Sequence, residues 1–193
     1  VVMDPADALA GQRLLIVTDT DGNPREAKIR TALAITEASM RNVVGDQISV
    51  VQTCLWSKRN GKVLARTQEK LGAVVISDVS WIDAPKDALA RAMLDGVRAL
   101  GFKFTAATER FRARVELVRA IDSDLPDLSD VTLMDNINEW LLPYLQGVQT
   151  TAQWKSHDTL QALRAILTWD QMKRVDIEAP AQFTTPLGRH TPI

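Results

Sequence analysis

Apolar residues recur with a period of two residues before Asp83-Ala84-Pro85 and with a period of about 3.6 residues after it. This change most constrains how the chain can fold. Before it, short β-rich runs are separated by turn signals. After it, apolar residues recur at helical spacing, beginning with Leu89, Met93 and Val97. The sequence therefore predicts an α+β protein in which small antiparallel strands come first and helices follow.

The strongest local signal in the β part is Asn60-Gly61, which lies between two β-rich runs. A type I′ turn needs positive φ at both central residues, and Asn-Gly is the pair that favours it most. The sequence therefore predicts a hairpin with a two-residue turn, in which Arg59 pairs with Lys62. Alternation along the strands then assigns an inward face that consists of Ile48, Val50, Cys54, Trp56, Val63, Ala65 and Leu71.

The β part is predicted to be one domain over residues 1–82. Four or five antiparallel strands with one short inserted helix are typical of a small barrel or curled sheet, compatible with an OB-fold. Residues 83–193 are predicted to form a helical extension, with caps at Thr105, Ser129 and Thr168. The extended segment at its end reads as truncated, so we expect a partner segment outside this chain.

The sequence offers no constellation for catalysis, for a metal or for a bound cofactor. Gly61-Lys62 lacks the upstream glycine and the following hydroxyl of a phosphate loop. Two histidines and one cysteine are too few for a Cys/His zinc site, and Asp19 and Asp21 flank an ordinary turn. We therefore predict no catalytic, cofactor-binding or metal-binding residue in this chain, and an autonomous enzyme is the least favoured interpretation.

Composition is typical of a globular protein from a reducing compartment. The formal net charge of −1 excludes a globally basic nucleic-acid binder, although it allows a local basic patch. The single cysteine, Cys54, excludes an internal disulfide and fits the cytoplasm. No apolar run approaches the roughly 18 residues of a membrane span, so no membrane partner is expected.

One surface feature points to a function. Four basic residues fall on the outward face of the predicted hairpin with no acidic residue between them, namely Arg59, Lys62, Arg66 and Lys70. Such a face could follow a phosphate backbone. Basic side chains also protect exposed sheet edges against aggregation, so both interpretations stay open on the residues alone. Further arginines over residues 105–121 alternate with Glu109 and Glu116, which favours an ordinary hydrated surface there.

Seven segments occur together in an order that is specific as a set, although each is weak alone. They are DPADALAG (4–11), LLIV (14–17), REAKIR (25–30), WSKRNGKVLARTQEKLG (56–72), FRARV (111–115), PDLSD (126–130) and EWLLPYLQG (139–147). In this order they resemble the post-helicase region of the HrpB family of bacterial DEAH-box-type ATP-dependent helicases. The resemblance extends over nearly the whole chain.

The resemblance implies a non-catalytic C-terminal accessory region of an ATP-dependent RNA helicase. ATP and Mg²⁺ would then belong to helicase core domains that this chain lacks, and those domains would be its partners in the same polypeptide. The resemblance also implies contact with single-stranded RNA, but it assigns that contact to no individual residue. The alternative, favoured by the near-neutral charge, is a protein–protein interaction module that does not touch nucleic acid.

Overall fold

The structure is a computed structural model and describes residues 1–121, 124–184 and 190–192. Within these ranges the strands are β1 (Leu15–Thr20), β2 (Ile29–Ala34), β3 (Ile48–Ser57), β4 (Lys62–Leu71), β5 (Val74–Ser80), β6 (Gln182–Thr184) and β7 (His190–Pro192). The helices are α1 (Glu37–Val44), α2 (Lys86–Leu100), α3 (Ala106–Arg119), α4 (Asp130–Asp135), α5 (Ile137–Trp140), α6 (Thr151–Ser156), α7 (Leu160–Arg164) and α8 (Trp169–Glu178). Short 3₁₀ turns cover Gly45–Gln47 and Leu142–Tyr144. Strands β1–β5, with α1 inserted between β2 and β3, precede helices α2–α8 as predicted, and β6 and β7 follow the last helix.

The strands form three separate small sheets. β1 pairs antiparallel with β2, β3–β4–β5 form the second sheet, and β6 pairs antiparallel with β7. A barrel closes only when its first and last strands pair, and no such pairing exists among the strands that the structure describes. The predicted OB-like barrel is therefore not confirmed. The structure shows small antiparallel sheets combined with helices.

The chain divides into two compact units. The first comprises residues 1–51 and 68–78, and the second comprises residues 52–67 and 79–193. This division differs from a boundary at residue 82, because residues 52–67 of the hairpin group with the helices. The assignment of domains to 1–82 and 83–193 itself stays a prediction.

A charged network organises the first unit, where few side chains are buried. Arg41 donates to Glu37 at 2.8 Å and to Glu69 at 2.5 Å, and Arg13 donates to the Ile76 carbonyl at 2.7 Å. Hydrogen bonds from Arg41 hold the pKa values of both glutamates below their ordinary range. Among the described residues of this unit, Met40 and Ile76 are the buried apolar side chains. The unit thus has only a small core, and its ion pairs lie at the surface, where such pairs stabilise a fold only weakly.

The second unit has a continuous apolar core built mainly by its helices. Met93 and Val97 of α2 are fully buried, and Phe111 and Val115 of α3 join them. The predicted caps at Thr105, Ser129 and Thr168 are confirmed. Each hydroxyl oxygen accepts a hydrogen bond from the backbone N–H three residues later. The helical half therefore folds as its periodicity and caps predict.

The hairpin contributes part of its predicted inward face to this core. Cys54 and Trp56 pack against the core and Val63 is itself part of it, as predicted. Val50, assigned to the same inward face, is 63% exposed, so the predicted face does not extend along the whole of β3. Alternation holds only where the helices cover the sheet.

Candidate nucleic-acid interface

The hairpin tip, residues 58–61, has a different turn from the predicted one. β3 ends at Ser57 and β4 begins at Lys62, so the loop contains four residues. The Gly61 N–H donates to the Ser57 carbonyl at 2.8 Å. Gly61 alone has positive φ, at 59°, and Asn60 does not. The two-residue type I′ turn is therefore wrong, because it needs positive φ at both positions. Arg59 consequently lies in the loop and is no strand partner of Lys62.

Tertiary hydrogen bonds hold the hairpin tip in place. The Gly61 carbonyl accepts from the Thr151 backbone N–H at 2.9 Å and from its hydroxyl at 3.1 Å. The Val63 N–H donates to the Gln149 carbonyl at 2.8 Å. A Cβ atom at Gly61 would lie 2.9 Å from the Thr151 hydroxyl oxygen, so this close approach favours glycine. The tip is thus fixed to the segment that opens α6.

The four predicted basic residues do not share one environment. Arg59 and Lys62 are exposed at and beside the hairpin tip. Arg66 is half-buried and has interactions of its own. Lys70 is half-buried and belongs to the first unit, whereas the other three belong to the second. The geometry therefore places Arg59 and Lys62 in the most accessible positions, and the role of the four residues stays a prediction.

Asp21 and Cys54, for which the sequence predicts no chemical role, lie in ordinary structural environments. The Asp21 carboxylate accepts backbone N–H bonds from Asn23 and Lys28, which lower its pKa as in an ordinary turn. Burial raises the pKa of the Cys54 thiol, which disfavours the reactive thiolate. Among the residues that the structure describes, no three His, Cys, Asp or Glu side chains gather into a metal site.

His157 is less solvated than a loop histidine would be. Its ring stacks on that of Trp154, with centroids 5.9 Å apart, and its Nε2 atom is buried without a hydrogen-bond partner. Burial lowers its pKa, and the neighbouring Asp158 carboxylate opposes that effect. The folded protein therefore favours the neutral imidazole.

We expect the free energy of unfolding to fall as the pH decreases below the ordinary histidine pKa of 6.5. The unfolded chain takes up a proton there, whereas folded His157 takes one up only at a lower pH. The loss should therefore begin near pH 6.5 and stop once the pH falls below the pKa of the folded state. Urea unfolding at several pH values measures this slope in the wild type and in His157→Gln.

His190→Gln provides the control, because it removes the other histidine of the chain. The slope should persist in His190→Gln and decrease in His157→Gln. An equal slope in His157→Gln and the wild type would contradict the assignment.

Similarity to known proteins agrees with the order of the sequence segments. Residues 140–193 match the family described as ATP-dependent helicase C-terminal, HrpB_C. The ATP-dependent RNA helicase HrpB of Escherichia coli strain K12 is 29% identical over 195 residues, which cover 97% of this chain and 24% of that protein. The crystal structure of the E. coli DExH-box NTPase HrpB matches with a TM-score of 0.55 and 29% identity, over 98% of this chain and 24% of that one. The chain is thus similar to HrpB helicases over nearly its whole length, and its residues 140–193 resemble the C-terminal part of that family.

A second HrpB structure, described as an E. coli DEAH/RHA helicase, is similar at a TM-score of 0.55 and 27% identity, over 99% of this chain and 25% of that one. The chain therefore spans about a quarter of the length of the HrpB proteins that it matches. In the part of the chain that the structure describes, no helix has the length and apolar character needed to cross a membrane.

Proposed function

We propose that this chain is a non-catalytic accessory region of an HrpB-type ATP-dependent RNA helicase, in which the hairpin tip contacts single-stranded RNA. The observation that carries the proposal is the pair Arg59 and Lys62, which are exposed at and beside the hairpin tip, where Gly61 and Val63 are hydrogen-bonded to Thr151 and Gln149. No carboxylate among the described residues forms an ion pair with either cation. Their charge is therefore available to a phosphate backbone.

Fixing the loop favours such a contact. A flexible loop loses conformational entropy when it is ordered on a ligand, and this loss weakens binding. The bonds from Thr151 and Gln149 already restrict the backbone on both sides of Lys62. The contact is expected to be independent of base sequence and sensitive to salt, because it involves phosphates.

The remaining parts of the proposal concern the longer protein. This chain has no phosphate loop in its sequence, so ATP and Mg²⁺ would be bound by helicase core domains elsewhere in the same polypeptide. We propose that this region packs against those domains. A cytoplasmic location fits the single, partly buried Cys54.

Replacing Arg59 and Lys62 together tests the RNA contact. We expect Arg59→Ala plus Lys62→Ala to weaken binding of a labelled single-stranded RNA roughly tenfold at low salt, because two charge-assisted contacts are lost. Fluorescence anisotropy at 50 and 200 mM salt would measure both the dissociation constant and its salt dependence. The difference between variant and wild type should shrink at the higher salt.

Arg91→Ala plus Lys103→Ala is the matched control. It also removes one arginine and one lysine, from exposed positions in α2 and in the loop after it. It should leave RNA binding close to that of the wild type. Equal losses in both double variants would mean that net charge, and not the hairpin tip, determines binding.

A protein-interaction module remains the second candidate, and exposed apolar side chains favour it. Ile82, Ile121 and Trp169 are 96%, 82% and 74% exposed in the second unit. Large apolar groups at the surface are frequent in protein contacts. RNA binding that is absent, or that does not respond to salt, would favour this second candidate over the first.

A further inference from the structure

A small pocket in the second unit gathers three arginines. It has a volume of about 220 Å³ and lies between α3, α7 and the first residue of β6. Arg110 and Arg114 come from successive turns of α3, Arg164 comes from the end of α7, and Gln182 also lines the pocket. The buried Phe111 ring forms part of the wall. We call this site the arginine pocket.

Two of these arginines differ from the others of the helical part. Over the described residues from 83 to 184, every arginine except Arg110 and Arg164 has a carboxylate within ion-pair distance. The paired ones are Arg91, Arg98, Arg112, Arg114, Arg119 and Arg174. Both arginines without a carboxylate partner in this part of the chain thus line the same concave site.

Contacts inside the protein orient two of the three guanidinium groups. The Arg164 guanidinium lies 5.7 Å from the Phe111 ring centroid, which favours a cation over the aromatic face. Arg114 is 9% exposed and uses Nε and Nη2 to bind the Ala179 carbonyl and the Asp176 carboxylate. Its Nη1 atom makes no hydrogen bond to another described residue. Arg114, whose charge Asp176 neutralises, thus contributes one remaining donor to the pocket.

We propose that the arginine pocket binds a phosphate group of a single-stranded nucleic-acid backbone. Guanidinium groups match the geometry of phosphate oxygens and bind them through paired hydrogen bonds. The volume is below the roughly 300–1,000 Å³ of a drug-sized ligand site, so it suits a phosphate with part of its sugar. Phe111 is 2% exposed beneath Arg164, so it offers no face for base stacking. The contact is therefore independent of base identity.

This inference rests on the proposed RNA contact and adds a second binding point within the same unit. The hairpin tip and the arginine pocket use different residues, so each can be removed separately. The pocket variant is Arg110→Ala plus Arg164→Ala, which spares the structural bonds of Arg114. Both replaced residues are exposed, so the free energy of unfolding should change little.

The experiment uses the 193-residue chain and a labelled single-stranded RNA in salt titrations by fluorescence anisotropy. Loss of one phosphate contact should lower the slope of log affinity against log salt by about 0.7. The dissociation constant at low salt should rise roughly tenfold. Arg91→Ala plus Arg98→Ala, which removes two exposed arginines from α2, should leave both values unchanged.

The outcomes separate the two proposals. If Arg59→Ala plus Lys62→Ala weakens binding while the pocket variant behaves as the wild type, the arginine pocket is ruled out and the hairpin contact stands. If only the pocket variant weakens binding, the pocket stands and the hairpin contact fails. Inorganic phosphate is the third probe: if it binds to the wild type and not to the pocket variant, while RNA affinity is equal in both, the nucleic-acid assignment is overturned.

Discussion

Gly96→Ala is expected to destabilise the second unit by about 1–3 kcal/mol, although alanine is the better helix former by about 1 kcal/mol. Gly96 lies inside α2, and a Cβ atom there would come within 2.7 Å of Cδ2 and Cε3 of Trp56. These are ring atoms of a side chain that packs against the core, so the indole has to shift as a whole. Urea unfolding followed by tryptophan fluorescence suits the measurement, because all five tryptophans belong to this unit.

Two further variants separate the packing effect from helix propensity. Ala99→Gly changes an exposed site of the same helix and should cost about 0.5–1 kcal/mol through propensity alone. In a Trp56→Ala background, Gly96→Ala should become neutral or stabilising, since the ring that it meets is gone. Stabilisation by Gly96→Ala in the wild-type background would contradict the close approach of hairpin and helix.

Arg114→Met should destabilise the second unit by about 2–4 kcal/mol. Arg114 joins α3 to the end of α8, where it donates to the Ala179 carbonyl at 2.5 Å and to the Asp176 carboxylate at 2.6 Å. Ala179 is 6% exposed, so its carbonyl would lose its partner in a place that water reaches poorly. Asp176 is mostly exposed and can be hydrated, which keeps the loss below that of a fully buried ion pair.

Arg110→Met is the matched control for this effect, because it makes the same change one helical turn earlier at an exposed position. Its free energy of unfolding should lie within about 0.5 kcal/mol of the wild type. Arg114→Lys should recover only part of the loss, since one ammonium group cannot reproduce the forked geometry. Equal stability of Arg114→Met and Arg110→Met would show that the bonds to α8 contribute nothing.

The helical part was the most predictable from sequence, because its signals are local. Spacing of Leu89, Met93 and Val97 gives one face of a helix, and Met93 and Val97 are indeed fully buried. Thr168 and Gln171 form the predicted capping box with both of its hydrogen bonds. Each of these features needs only residues within about one helical turn, so tertiary contacts had no reason to change them.

The hairpin was predicted in position and wrong in detail. Asn60-Gly61 marks the turn region correctly, but Thr151 binds the Gly61 carbonyl from 90 residues away. A local turn preference stabilises a turn less than such tertiary hydrogen bonds do. The loop therefore contains four residues, and among them only Gly61 has positive φ. The predicted pairing of Arg59 with Lys62 depended on the turn type and was lost with it.

By itself the sequence determined the order of strands and helices, the helix caps and the likeness to HrpB helicases, since these depend on neighbouring residues or on their order along the chain. It also gave four candidates for binding phosphate, which are Arg59, Lys62, Arg66 and Lys70. Only the tertiary structure decided which arginines are neutralised and which are not. Arg110 and Arg114 are one turn apart on α3 and line the same pocket, yet Asp176 pairs with Arg114 alone. Such differences arise from contacts between distant segments, which local spacing does not encode.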